Sequence, residues 1–250
     1  MIPTLRDSFD KLWESIGDAK DITFYRLRGN FGHHLLEAAT RQFLDGLNKK
    51  YTVFGPKLID ARGDTLLVSG SGMWWSGLDR LVKKFKKIEK GFNKTIILPT
   101  TFEISHRPVL EALMNSEATV FARENKSYED IRKFRQVSLA HDMAFFFNYE
   151  PWKQKGSGTL VAYRTPGLAE STELGKIPVS YDISRHAKSF RDWLEIISNH
   201  KTIYTDRLHV MIAAALMGKE VIYSSSAYFK IDAVAEFLGG YNVRKGKFEG

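Results

Sequence analysis

Apolar positions alternate along the chain between two spacings, and this alternation predicts an α/β protein. Short apolar runs typical of strands occur at residues 21–27, 64–70 and 94–101, and segments with helical spacing follow them, as at 33–50 and 107–116. Strands connected by helical crossovers pair in parallel. The pattern therefore predicts parallel strands with helices on both faces of the sheet.

The alternation continues through a predicted strand at 136–147 and is then interrupted at residues 148–158. This stretch contains Pro151, several charged residues and two glycines, a composition typical of a linker. A second, shorter series of strands and helices follows it. We therefore predict two α/β domains, residues 1–150 and 151–250.

Two glycine-containing loops follow predicted strands, where α/β sheets bind their ligands. In the loop 26–36, Asn30 and Gly32 lie in a tight turn whose amides suit an anion. An ordinary turn capped by Asn30 explains the same residues. The loop 68–75, with Ser71 and Gly72, frees amides in the same way, and a turn required only by geometry is the alternative there.

Two later strand ends carry charged side chains. Arg123 follows a strand and offers a planar guanidinium to a carboxylate or phosphate. Alternatively, it pairs with Glu124 or Glu129. At the next strand end, His141 and Asp142 form a pair for which a structural role is the simpler interpretation.

The segment 204–221 places Arg207 and His209 before an apolar run that predicts a buried helix. Thr205 or Asp206 is the predicted N-cap, which puts both residues in the first turn. Unpaired amides and the helix dipole there attract an anion and disfavour a charged imidazole until the anion binds. The alternative is that Arg207 bonds Asp206 or a nearby loop and that His209 is a partly buried structural histidine.

Composition and charge limit the class of protein. The chain is 43% hydrophobic and 26% charged, which is typical of a folded domain. It contains no cysteine, which excludes disulfides, thiolate nucleophiles and cysteine-based zinc sites. The first residues lack the apolar core of a signal peptide, and no window reaches the ~20 apolar residues of a membrane span. We therefore expect a cytoplasmic protein, and its net charge of +8 favours anionic partners.

Lysines are concentrated in the segment 77–94, a predicted helix with apolar residues at helical spacing. A solvated basic face over a buried stripe is the usual explanation of such a pattern. The more specific alternative is peripheral contact with the acidic inner face of a membrane, which would bring the protein to a lipid-linked acceptor. We find no motif that reads RNA or DNA, so no nucleic-acid partner is expected.

Six segments, in order over nearly the whole chain, resemble the polysaccharide pyruvyltransferase family. They are GNFG (29–32), LLVSGSG (66–72), ILPTTF (97–102), FARENKSYE (121–129), LAHDMAFF (139–146) and TDRLHVMIAAALMGKEVI (205–222). The resemblance implies two Rossmann-like halves in a GT-B-like arrangement with a cleft between them. It also implies transfer of a pyruvyl group from phosphoenolpyruvate to a saccharide or lipid-linked saccharide, which forms a ketal on a cell-surface polysaccharide or its precursor.

The resemblance also assigns roles to residues. His209 corresponds to the catalytic acid, since ketal formation needs a proton delivered to the enol carbon. The implied donor-binding residues are Arg207, Arg123, Asn30, Gly32, Ser71 and Gly72. Further candidates for donor or acceptor contacts are Arg164, His33 and Lys230. No metal and no cofactor are implied, because phosphoenolpyruvate is a co-substrate.

The chain departs from the family pattern at two positions. Many members have Gly-Asp after the first turn, whereas Gly32 is followed here by His33 and His34, and Ser71 replaces a glycine. The first change removes any acidic role at position 33. Two alternatives stay open: a nucleotide-sugar-dependent GT-B glycosyltransferase, and a non-catalytic protein that binds anions or nucleic acid.

Overall fold

The computed structural model describes residues 2–55, 60–72, 74–76, 81–165, 177, 179–226 and 228–249. In this part of the chain the α-helices are Leu5–Ile16 (α1), Phe31–Gly46 (α2), Phe85–Glu89 (α3), Arg107–Met114 (α4), Asn125–Ile131 (α5), Ile183–His186 (α6), Phe190–Ser198 (α7), Leu208–Leu216 (α8) and Lys230–Ala235 (α9). The strands are Ile22–Tyr25 (β1), Tyr51–Phe54 (β2), Gly63–Val68 (β3), Phe92–Thr100 (β4), Thr119–Ala122 (β5), Ser138–Leu139 (β6), Thr159–Ala162 (β7), Thr202–Thr205 (β8), Glu220–Tyr223 (β9) and Val243–Lys245 (β10).

The strands form two separate sheets. Six of them form one sheet in the order β2-β1-β3-β4-β5-β6, and the other four form a second sheet in the order β10-β9-β8-β7. Every neighbouring pair in both sheets is parallel. The prediction of an α/β fold with parallel strands is thus confirmed, and the GT-B-like arrangement with a cleft stays a prediction.

Each sheet lies in its own compact unit. The first unit comprises Met1–Arg28 and Leu36–Phe147, and the second comprises Gly29–Leu35 and Asn148–Gly250. The loop after β1 is thus grouped with the second unit. The division into two α/β domains at residues 1–150 and 151–250 stays a prediction.

Burial explains why the central strands were predictable and the edge strand was not. All four residues of β1 are buried, and β3 and β4 each end in a run of buried residues, so these strands are continuous apolar runs. In β2, at the edge of the sheet, half-buried residues alternate with exposed ones. Its four residues are too few for this alternation to predict a strand, so β2 was not predicted from the sequence. The sequence did not predict α1 and β10 either.

Local hydrogen bonds correct two predicted elements. The predicted strand at 136–147 is limited to β6, because the Asp142 carboxylate accepts from the Ala144 N–H and starts a 3₁₀ helix, Met143–Phe146. Residues 185–200 also have the apolar spacing of a single helix, but the structure forms two helices, α6 and α7, with a break at residues 187–189. Asp182 caps α6 and Ser189 caps α7, so the chain restarts between them.

The basic segment 77–94 is only partly described, because residues 77–80 lie outside the described residues. The rest forms a 3₁₀ turn at Val82–Lys84, then α3 and the start of β4. Val82, Phe85 and Ile88 are buried in the core of the first unit, and the lysines between them are exposed. This matches the ordinary pattern of a solvated face over a buried stripe, and contact with an acidic membrane stays a prediction. Within the described residues, none of the helices has both the length and the apolar character that crossing a membrane requires.

A buried histidine holds α1 against the end of β6. His141 Nδ1 lies 2.9 Å from Ser8 Oγ, and the same hydroxyl accepts the backbone N–H of His141 at 3.1 Å. Ser8 is fully buried. Burial lowers the pKa of His141 to about 4, although the neighbouring Asp142 charge raises it. The imidazole is therefore neutral in the folded protein at neutral pH.

We expect His141 to make the protein less stable as the pH falls from about 6.5 toward 4. In this range the unfolded chain takes up a proton on His141 and the folded chain does not, so the unfolded state is favoured. The free energy of unfolding, measured by urea titration at pH 7 and pH 4.5, should therefore fall less in His141→Gln than in the wild type. The matched control is His186→Gln, which changes an exposed histidine. If His141→Gln and the wild type lose stability equally over this range, the assignment is wrong.

Candidate functional site

Two arginines with buried acidic partners follow β7 and β8 in the second unit. Arg207 is 7% exposed, and its Nη2 donates to Asp182 Oδ2 at 2.7 Å. Arg164 is 8% exposed, and its backbone N–H donates to Asp206 Oδ1 at 2.7 Å. Arg207 and Asp182 therefore form an ion pair out of water, whereas Asp206 is held by the backbone of Arg164.

Asp182 is the centre of this hydrogen-bond network. Its Oδ2 also accepts from the N–H and the hydroxyl of Thr165, at 3.0 and 3.1 Å. Its Oδ1 accepts from the N–H of Ser184 at 3.2 Å. Burial acts to raise the pKa of Asp182, but the hydrogen bond and charge of Arg207, together with Thr165, hold it below its ordinary value. Asp182 is therefore a carboxylate at neutral pH.

The amino terminus of α8 differs from the prediction. Arg207 itself is the N-cap, with extended backbone, and no side chain caps the helix. The Thr205 hydroxyl instead accepts the N–H of Arg207 at 3.0 Å and donates to the carbonyl of Ala162, and Asp206 accepts from Arg164. Neither residue is therefore available as the predicted cap. Arg207 precedes the first turn, and His209 lies in it.

Arg207 keeps one buried donor unused. Its Nε is buried and has no hydrogen-bond partner among the described residues. A buried N–H without a partner is costly unless something binds it. The alternative interpretation is confirmed in part, because Arg207 bonds a neighbouring loop through Asp182, which precedes α6, and not Asp206. Because Arg207 is also the N-cap of α8, its unused Nε belongs to the residue at which the uncapped helix begins.

Gly32, in the first turn of α2, packs against His209. A Cβ on Gly32 would lie 2.4 Å from His209 Nδ1, so only a residue without a side chain fits there. The Gly32 N–H donates to Asn30 Oδ1 at 3.0 Å, and the Asn30 carbonyl accepts from His33. The predicted turn capped by Asn30 is therefore present, and Gly32 also leaves the space that the imidazole of His209 occupies. Donor contacts of Asn30 and Gly32 stay predictions.

A second histidine packs against Gly29. A Cβ on Gly29 would lie 2.0 Å from His33 Nδ1. Neither glycine has a positive φ, so the backbone conformation does not require glycine at these positions. The space taken by the two histidine rings does. His34 is exposed, and its ring lies beside those of Phe31 and Phe190. His33 thus packs against Gly29, just before α2, and His209 packs against Gly32, in its first turn.

Arg123, in the first unit, is 1% exposed and tied to the neighbouring strand ends. Its Nη1 donates to Asp142 Oδ2 at 2.7 Å, and its Nε donates to the Thr101 hydroxyl at 2.8 Å. The alternative interpretation, in which Arg123 pairs with Glu124 or Glu129, is therefore wrong. A contact between Arg123 and the donor stays a prediction.

Glu124 is used locally. Both of its carboxylate oxygens accept from the N–H of Ser127, which makes Glu124 the N-cap of α5. The Ser127 hydroxyl in turn bonds the backbone of Phe102. Burial raises the pKa of Glu124. The helix thus begins at Asn125, directly after Glu124.

The remaining candidates are divided between the two units. In the first unit, Ser71 is fully buried, and its N–H donates to the Thr100 hydroxyl at 3.2 Å. Gly72 follows it and is half-buried. In the second unit, Lys230 begins α9, with its Nζ 5.6 Å from the centre of the Tyr228 ring. Their donor or acceptor contacts stay predictions, as do those of Arg164 and His33.

Asp182 and Thr165 are the site residues that the sequence did not reveal. Arg207 and Asp182 are 25 positions apart, and no spacing rule connects them. The one local signal was Asp182 itself, an N-cap residue type placed just before Ile183. Within the part of the chain that the structure describes, no group of three or more His, Asp or Glu side chains has the arrangement of a metal site.

Comparisons with known proteins give the family of the chain and a structure of similar fold. A family model described as polysaccharide pyruvyl transferase matches residues 30–227. The crystal structure of a functionally uncharacterised protein from Klebsiella pneumoniae subsp. pneumoniae is similar, with a TM-score of 0.79 and 23% sequence identity over 99% of this chain and 100% of that one. This likeness shows the fold alone. No curated protein matches the chain.

Gly32→Ala should destabilise the protein and displace His209. The added Cβ would lie 2.4 Å from Nδ1, and overpacking of this kind costs about 1–3 kcal/mol. The matched control is Gly46→Ala at the other end of α2, where a Cβ meets nothing within 4 Å and should add about 0.4–1 kcal/mol of stability. Thermal unfolding measures both changes, and the NMR resonances of His209 report its displacement. Equal stabilisation by the two substitutions would contradict the packing described.

Arg123→Ala should destabilise the first unit strongly, because it leaves the Asp142 carboxylate buried without its partner. Breaking a buried pair in this way costs about 3–5 kcal/mol. Arg132→Ala is the control, since it removes an exposed pair with Glu129 that is worth at most about 1 kcal/mol. Urea unfolding compares the two variants. A loss in Arg123→Ala no larger than that in Arg132→Ala would show that the buried pair does not hold the strand ends.

Proposed function

The chain belongs to the polysaccharide pyruvyl transferase family, and we propose that it transfers a pyruvyl group from phosphoenolpyruvate to a saccharide, forming a ketal. The observation that carries this proposal is the buried Arg207, with its unused Nε, at the uncapped amino terminus of α8. His209 follows it in the first turn of the same helix.

Arg207 and the terminus of α8 suit the donor's chemistry. Phosphoenolpyruvate carries a phosphate and a carboxylate, which are bound by guanidinium groups and by backbone amides at helix starts. Phosphate at this terminus would gain the positive end of the helix dipole. It would also give the buried Nε of Arg207 the acceptor that it lacks among the described residues.

His209 is the proton donor in this proposal. The acceptor hydroxyl oxygen bonds to C2 of the enol, and the C2–C3 double-bond electrons take a proton from His209, which turns the methylene into a methyl group. The proton of the hydroxyl leaves to solvent. A second hydroxyl of the sugar then bonds to C2 as phosphate departs, and its own proton is released, which completes the ketal.

The packing of His209 supports this role. Gly32 leaves room for the imidazole and limits its movement on that side. The helix dipole disfavours the imidazolium in the free protein, whereas a bound phosphate favours it. The donor complex is therefore the state in which His209 carries the proton that it delivers.

His209→Gln and Arg207→Ala should affect different kinetic constants. Loss of the proton donor should lower kcat by about 100-fold or more with little change in donor affinity. Loss of Arg207 should first raise the KM for phosphoenolpyruvate. The wild-type rate should also fall as the pH rises past the pKa of His209 in the complex, because the proton is then lost.

The assay uses phosphoenolpyruvate with a panel of saccharides and follows phosphate release together with a gain in mass of the sugar. His186→Gln, an exposed histidine on α6, is the control and should keep the wild-type rate. Wild-type activity with a nucleotide sugar instead of phosphoenolpyruvate would refute the proposal. An undiminished rate in His209→Gln would remove that residue from the mechanism.

A further inference from the structure

From the buried contacts of Asp182, we infer that this residue positions Arg207 for the reaction without touching the donor itself. The inference rests on the proposed function, and it adds a residue that neither the motifs nor the family match assigns. Asp182 is 4% exposed and lies between the loop after β7 and the start of α8. It therefore acts on the reaction through Arg207.

The orientation of the Asp182 carboxylate is fixed by its hydrogen bonds. Oδ2 accepts from Arg207 and twice from Thr165, and Oδ1 accepts from the N–H of Ser184. Both oxygens are thus occupied, and three of the four donors belong to residues other than Arg207. Since the carboxylate is held independently of Arg207, it can serve as a fixed support for the guanidinium.

This support fixes the direction of the free donor on Arg207. The guanidinium is planar and rigid, so a bond to Nη2 restricts the plane in which Nε lies. The backbone of Arg207 is held as well, because its N–H donates to the Thr205 hydroxyl. With both ends of the side chain held, the buried Nε points in one direction before the donor arrives.

The charge of Asp182 acts against donor affinity. The carboxylate neutralises Arg207 at a distance of 2.7 Å, and an anionic donor gains less from a neutralised arginine than from a free one. Asp182 is therefore expected to contribute orientation, which raises kcat, and not attraction, which would lower KM. A direct ligand of the donor would show the opposite pattern.

Asp182→Asn tests this division. The amide keeps the volume of the side chain but removes its charge. Its NH₂ group replaces one carboxylate oxygen and cannot accept a hydrogen bond, so the bonds to that oxygen are lost. We expect kcat to fall about 10- to 100-fold, as for a misplaced catalytic group, while the KM for phosphoenolpyruvate does not rise. Glu195→Gln is the control, because it breaks an exposed pair with Arg191 on α7 and should leave both constants unchanged.

Two further variants separate positioning from simple stabilisation. Thr165→Val removes one donor to Asp182 and should lower kcat by a smaller factor, also without raising KM. In an Arg207→Lys background, Asp182→Asn should have little further effect on kcat, because the planar group that it orients is already gone. A purely structural role would give independent effects that multiply.

The outcomes distinguish this inference from the function on which it rests. A wild-type protein that does not turn over phosphoenolpyruvate overturns both. An active wild type with unchanged kcat in Asp182→Asn, or with a fall in kcat that multiplies fully with that of Arg207→Lys, overturns the positioning role alone. If Asp182→Asn does not fold, as judged by circular dichroism, Thr165→Val decides: an unchanged kcat or a raised KM rejects the inference.

Discussion

The structure depends on the rule that a buried charge needs a partner. Removing an ion from water costs several kcal/mol even after the protein relaxes, yet each unit buries an arginine in an ion pair at its strand ends, Arg123 in one and Arg207 in the other. Each arginine is paired with an aspartate at 2.7 Å. In both units the ion pair therefore connects the loops that follow neighbouring strands.

The two pairs leave their arginines in different states. Arg123 uses Nε for Thr101 and Nη1 for Asp142, so it joins three adjacent strand ends of the first sheet. Arg207 uses only Nη2 for Asp182, and its Nε is left without a partner in the described part of the chain. The same kind of ion pair thus leaves Nε hydrogen-bonded in Arg123 and without an acceptor in Arg207. This difference follows from what surrounds each arginine and not from the residue type.

The sequence allowed prediction of the elements with strong periodicity and of the residues grouped in short motifs. Helix α8 and its neighbours Arg207 and His209 could be located because they are contiguous and the apolar run is long. The pairing of Arg207 with Asp182 could not, since it depends on how two loops meet across 25 positions. The clearance that Gly32 gives His209 also depends on tertiary packing. Strand β6 was overestimated because the Ala144 N–H donates to the Asp142 carboxylate and starts a 3₁₀ helix where the apolar run continues.

The burial of α8 has a consequence for how this scaffold diversifies. Leu208 and every residue from Val210 to Ala215 are buried, and three of them are alanines that leave no room for larger side chains. The helix has no solvated side on which mutations accumulate freely, so drift in this element is confined to near-isosteric changes. Substitutions that change the ligand preference of this fold are therefore expected outside α8.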